Sequence, residues 1–147
     1  SKVVGMDIAQ LRKTVQQAIE GAKKDQAARR ARADAAGLAY ERFLEERAAP
    51  VFRSMANVLK SEGLLFDVMT PSGGVRLVPE RTREDGIELT LDGSLDPPRA
   101  TLTTVRSRGS RTMRAERALK DGVPIDTLTD DDVVAALLDE LKPWLER

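Results

Sequence analysis

Among its 147 residues the chain has no histidine and no cysteine. The commonest general base and metal-binding imidazole are therefore missing, as are the most reactive nucleophile, any sulfur-ligated metal and any disulfide framework. Aromatic residues are scarce too, with one tryptophan, one tyrosine and three phenylalanines. Leucine, valine, isoleucine and methionine must supply most of the packing. No apolar run approaches the roughly 18 residues that span a bilayer. With no charged-then-apolar leader visible either, a soluble cytoplasmic chain without membrane association is expected. Net charge is also lacking, because 24 cations and 24 anions cancel.

What the chain does have is helix. Asp7-Ile8-Ala9-Gln10 is a start signal, with an acidic cap ahead of a polar third residue, and Asp7 to Glu62 reads as one long helical stretch. Ser1 to Gly5 precede a natural-looking Met6-Asp7 and read, with Met6, as an added or frayed tail over residues 1–6. Ile8, Leu11, Val15, Ala18 and Ala22 recur at steps of three and four, with Ile19 beside them, which makes a coiled-coil-like seam. The seam dissolves from Lys23 to Arg32, where alanine is the only apolar residue and propensity alone sustains the helix. A second seam follows at Tyr40, Leu44, Ala48, Val51, Met55 and Val58, flanked by Phe43, Phe52 and Leu59. Pro50 predicts a kink near Ala48 to Pro50, or a new helix with Pro50 in its first turn. A helical hairpin bent at Gly21 or Gly37 is the alternative.

Beyond Gly63 the hydrophobic period changes to two, which announces strands. Leu64, Phe66 and Val68 share one face of a first strand that ends in the turn Thr70 to Gly74, and Val75 to Val78 returns. Pro79 to Gly86 is a charged loop, and Ile87 to Leu91 alternates strictly. Asp92 to Pro98 is a loop, and Ala100 to Val105 and Thr112 to Ala118 are further strands joined across Arg106 to Arg111. Connections this short require antiparallel pairing. A last helix, Asp130 to Leu145, is capped by Thr129, carries Asp130, Asp131 and Asp132 in its first turn, and buries Val134, Leu137, Leu138 and Leu141.

Charge is segregated along the chain. Residues 1–62 hold 12 cations against 8 anions, 63–98 hold 3 against 7, 99–120 hold 7 against 1, and 121–147 hold 2 against 8. The basic block marks Arg106, Arg108, Arg111 and Arg114 as candidate polyanion contacts around a flexible Gly109-Ser110. No aromatic between Phe66 and Trp144 is available to stack a base, and no nucleic-acid-binding signature is present. The plainer reading sets these arginines against solvent or the acidic C-terminal block.

Catalytic and metal-binding motifs fail on their own chemistry. Three consecutive aspartates on a helix point in different directions, so Asp130 to Asp132 serve the helix dipole rather than a cation. Asp92-Gly93-Ser94 lacks the spaced ligands of a calcium loop, and Ser72-Gly73-Gly74 is followed by no Gly-Lys-Ser/Thr and no helix. No catalytic residue, cofactor or metal ligand is assigned.

The expected fold is α+β, in which a long N-terminal helix kinked near Pro50 precedes an antiparallel meander of four or five strands and a C-terminal helix. Residues 63–147 pack with the second half of the helix as one domain, and the coiled-coil-like first half stands apart. The expected function is non-enzymatic interaction. The chain self-associates as a homodimer through Ile8, Leu11, Val15, Ala18, Ile19 and Ala22, or meets another protein there. The alternative is weak, sequence-independent nucleic-acid association through the basic strand and hairpin.

Overall fold

The computed structural model of the protein describes residues 7–146, and the tail expected over residues 1–6 lies outside them. Asp7 caps α1, Ile8–Phe43, its carboxylate accepting the Gln10 N–H at 2.8 Å. The helix passes through Gly21 and Gly37 without a break, so the hairpin alternative does not form. Each glycine stands among strong helix formers, which offset its cost of about 1 kcal/mol.

One wide turn of π geometry, Leu44–Ala48, closes with the Ala49 N–H donating to the Leu44 carbonyl. Helix α2, Ala49–Ser61, follows directly with Pro50 in its first turn. The break expected near Pro50 is therefore real, and it takes the form of one extra residue. Part of the cause is Pro50 itself, which has no N–H and crowds the Glu46 carbonyl. The rest is burial. At about 100° per residue, Phe43 and Phe52 would stand about 180° apart on an unbroken α-helix, and Tyr40 and Phe52 about 120° apart. Giving one residue to the π turn brings these separations to about 80° and 20°. The buried line accordingly runs Tyr40, Phe43, Ala48, Phe52, Ala56 and Leu59, with a single step of five. The even seam expected through Leu44, Val51, Met55 and Val58 is displaced by that step, leaving the first three half-buried and Val58 exposed.

Five strands follow as an antiparallel meander in the order β1-β2-β3-β4-β5. They are β1, Phe66–Met69, β2, Val75–Pro79, β3, Gly86–Asp92, β4, Arg99–Arg108, and β5, Arg111–Ala118. Directly paired residues share a face. Val68, Leu77, Ile87 and Thr104 make one row toward the helices, and Val75, Leu89 and Leu102 make the next. Gly86 opens β3 at φ 146°, and a Cβ there would lie 2.5 Å from the Leu77 carbonyl oxygen, so the close approach requires glycine. The Tyr40 hydroxyl ties α1 to the sheet by donating to the Gly73 carbonyl at 2.8 Å. Burial, with the Glu88 charge adding to it, pushes the Tyr40 phenol above its ordinary range.

After a short 3-10 turn, Ile125–Thr127, α3 spans Asp130–Leu145. The Thr129 hydroxyl accepts the Asp132 N–H while the Asp132 carboxylate accepts the Thr129 N–H, closing a capping box. The buried face is Val133, Ala136, Leu137, Leu141 and Trp144, which keeps the expected Leu137 and Leu141 but not Val134 and Leu138. Leu138 is 43% exposed and Val134 half-buried. Burying Trp144 selects the line Val133, Leu137, Leu141, Trp144, which turns Leu138 outward.

Deleting exposed Glu46 should remove the extra residue and swing Phe52, Ala56 and Leu59 out of the core. The expected loss is at least the roughly 3–5 kcal/mol of a Phe→Ala change, measured by urea denaturation, while Glu46→Ala leaves the midpoint in place. A deletion variant as stable as the parent would show that burial does not set the π turn. Alkaline pH offers a second check. Because the folded Tyr40 pKa is raised, its contribution is complete below the unfolded value near 10 and shrinks as pH climbs toward the folded one. Stability should fall by about 1.4 kcal/mol per pH unit above pH 10 more steeply in the parent than in Tyr40→Phe.

Candidate interaction surfaces

The first surface is the exposed N-terminal half of α1. Every residue from Asp7 to Arg32 is exposed. The first tether to the sheet is Arg32, whose Nε and Nη2 donate to the two carboxylate oxygens of Asp96 at 2.9 and 2.8 Å, with Arg29 3.9 Å away. That fork holds the Asp96 carboxyl below the usual carboxylate range. Residues 8–28 therefore run roughly 30 Å past the last ion pair that α1 makes among the described residues. Ile8, Leu11, Val15 and Ile19 are 76%, 41%, 48% and 49% exposed, and Ala18 and Ala22 lie exposed on the same face. The six seam residues are thus brought together on one stripe of one helix.

Beside the tether lies a cleft of about 680 Å³, where Ala35, Ala36 and Ala39 of α1 face Pro97, Pro98 and Ile125. Sequence reasoning missed this feature. Its only signals were the proline-bearing loops and the small side chains at Ala35, Ala36 and Ala39.

The second surface is the β4–β5 hairpin. Its connection is shorter than expected, since only Gly109 and Ser110 lie between the strands and Gly109 takes φ 65°. Pairing Arg106↔Met113 and Arg108↔Arg111 puts three of the four candidate arginines on the helix-side face, and Arg114, opposite Val105, lies on the other. Arg114 Nη2 is 3.4 Å from Glu116, and the Arg106 guanidinium lies 5.5 Å from the Trp144 ring centre, a cation–π contact. Neutralisation by the acidic block occurs deeper in the block: Arg117 meets Asp139 and Glu140, and Lys120 meets Asp132.

The short β3 leaves the end of β4 without a strand neighbour on that side, and a buried loop carboxylate fills in. Asp85 accepts from the Ser107 N–H at 2.9 Å and the Ser107 hydroxyl at 2.8 Å. Arg76 Nη2 donates to the carbonyls of Arg83, Glu84 and Asp85, so the loop into β3 is clipped from both sides. Neither contact was legible in the sequence, which marked this loop only as charged.

The acidic motifs act as local structure. Asp132 belongs to the capping box and Asp130 lies 3.3 Å from Arg47. Asp92 accepts from the Ser94 N–H and hydroxyl in a turn. Among the described residues no group of three or more acids is placed to hold a metal ion, and no helix is long and apolar enough to cross a membrane. Comparison with protein-family models, curated proteins and solved structures finds no match.

Trp144, 7% exposed, meets Phe66 edge-on at 6.0 Å beneath Arg106. Trp144→Ala should cost about 3–5 kcal/mol in chemical denaturation. In the parent the indole emission should be blue-shifted and resist quenching, and an emission typical of water would contradict this placement.

Proposed function

We propose that this chain is a non-enzymatic interaction protein that works as a homodimer, joined through the exposed N-terminal half of α1. One observation carries the reading: Ile8, Leu11, Val15 and Ile19 form an exposed apolar stripe on a helix that outruns its own sheet by roughly 30 Å. A helix of that length with an uncovered apolar face is marginal in water, and its stability comes from covering that face. The simplest cover is the same stripe of a second copy, related by a two-fold axis.

Magnitudes set the strength of the pair. Full burial of a Leu, Ile or Val side chain contributes about 1.5–3 kcal/mol, and these are already about half covered by their helix neighbours. Two copies would regain on the order of 6–12 kcal/mol, against an association cost of about 4–15 kcal/mol. The pair is therefore concentration-dependent rather than obligate. The absence of histidine and cysteine removes the commonest catalytic groups and supports a role in binding.

Light scattering coupled to size exclusion should return a dimer mass at micromolar concentrations. Leu11→Asp with Val15→Asp should reduce it to monomer while the circular-dichroism melt of the rest persists. A parent that stays monomeric at every accessible concentration rejects the dimer.

A further inference from the structure

Several cations have an acid beside them: Arg32 has Asp96, Arg47 has Asp130, Arg83 has Asp67, Arg117 has Asp139 and Lys120 has Asp132. The tip of the β4–β5 hairpin instead sets cation against cation. Arg108 and Arg111 are direct cross-strand partners, and among the described residues neither has a carboxylate within ion-pair distance. Like charges placed opposite one another in a sheet oppose pairing. Arg106 adds a third guanidinium on the same face, two residues or about 6.8 Å along the strand.

The shape of the support narrows the partner. Strand β3 pairs with β4 only as far as Gly86↔Val105, whereas β4 and β5 go on through Arg106↔Met113, Ser107↔Thr112 and Arg108↔Arg111. The arginines thus stand on a two-stranded ribbon that runs past the neighbouring strand, with the Asp85–Ser107 bonds bracing its root. The major groove of B-form DNA, about 12 Å wide, admits such a ribbon, with its guanidiniums meeting the phosphates on either side. Trp144 and Phe66 are buried, so no exposed ring on this ribbon could stack an unpaired base. From this juxtaposition we infer that the β4–β5 ribbon is a sequence-independent DNA-duplex contact, carried by Arg106, Arg108 and Arg111. The inference stands apart from the dimer and does not need it.

Fluorescence anisotropy of a labelled mixed-sequence DNA duplex, titrated with the full chain at 50 and 200 mM salt, tests it. Three phosphate contacts give a log–log salt slope of about −2.7, or a roughly 40-fold loss of affinity between the two conditions. Arg108→Ala with Arg111→Ala should make the slope shallower by about 1.8. The single change Arg111→Glu makes the cross-strand pair one of opposite charge, so it should weaken DNA binding while the melting temperature holds or rises. A merely structural arginine would lower both. Trp144 emission reports that each variant is folded. The inference is overturned if the parent shows no binding at 50 mM salt, or if the double variant keeps the parent slope. It is equally overturned if Lys23→Ala with Lys24→Ala accounts for the loss. Two partner controls also count against it: an A-form RNA duplex that binds as tightly, since its major groove is too narrow to read, or polyglutamate that displaces the DNA at equal charge, which would assign the ribbon to an acidic protein.

Discussion

With only five aromatic rings for a five-stranded sheet and three helices, none can be left outside, and Tyr40, Phe43, Phe52, Phe66 and Trp144 are all buried. That scarcity governs the rest of the architecture. Three of the rings lie on one continuous helical rod at spacings an ideal α-helix cannot turn to a common side. The π turn at Leu44–Ala48 reconciles them by taking up one residue, and Pro50 makes this the place where it is cheapest. The fourth and fifth rings meet edge-on across the sheet and set the rotation of α3. Covalent order along the chain and packing order in the core therefore agree only because the helix changes its count once.

The sheet was the most legible part of the sequence. Ile87, Leu89 and Leu91 alternate with polar residues because β3 has one face in the core, and period-two patterning is a direct record of that. Both helix termini with acidic or hydroxyl caps were also readable, since Asp7 and Thr129 make local bonds that need no tertiary context. Helix rotation was not. Periodicity chose Leu138 without knowing that Phe66 would be waiting for an indole, and it extended the Tyr40 seam through a turn that breaks the step. The ends of β4 and β5 were missed for a related reason: past Val105 the strands carry arginine on both partners, so no hydrophobic alternation remains to betray them. Of the candidate surfaces, the α1 stripe could be named from spacing alone. The cleft beside Ala35 and Ala39 could not, because its walls come from segments about 60 and 90 residues apart in the chain.

The zero net charge conceals a division of labour. The acidic C-terminal block lies against the C-terminal end of the basic strand, where Arg117 and Lys120 find Asp139, Glu140 and Asp132, and the hairpin tip is left strongly positive. Blocks of opposite sign that are distant in sequence can thus fold onto one another while leaving a local field at the tip of one hairpin. Summed charge reports on the whole molecule, whereas the potential a partner meets is set by the few groups nearest to it.

The fork between Arg32 and Asp96 has a mechanical meaning. Helix α1 is a stiff arm whose root is the π turn, and from Leu44 to its start it measures about 54 Å. A change of 10° at that root would sweep the far end through about 9 Å. By gripping the arm a third of the way along, Asp96 shortens the free lever and supplies a second point of support. The orientation in which the apolar stripe is presented is then defined by separated fixings, the buried end of α1 with Tyr40 and its wide turn in the core, and one carboxylate at the rim.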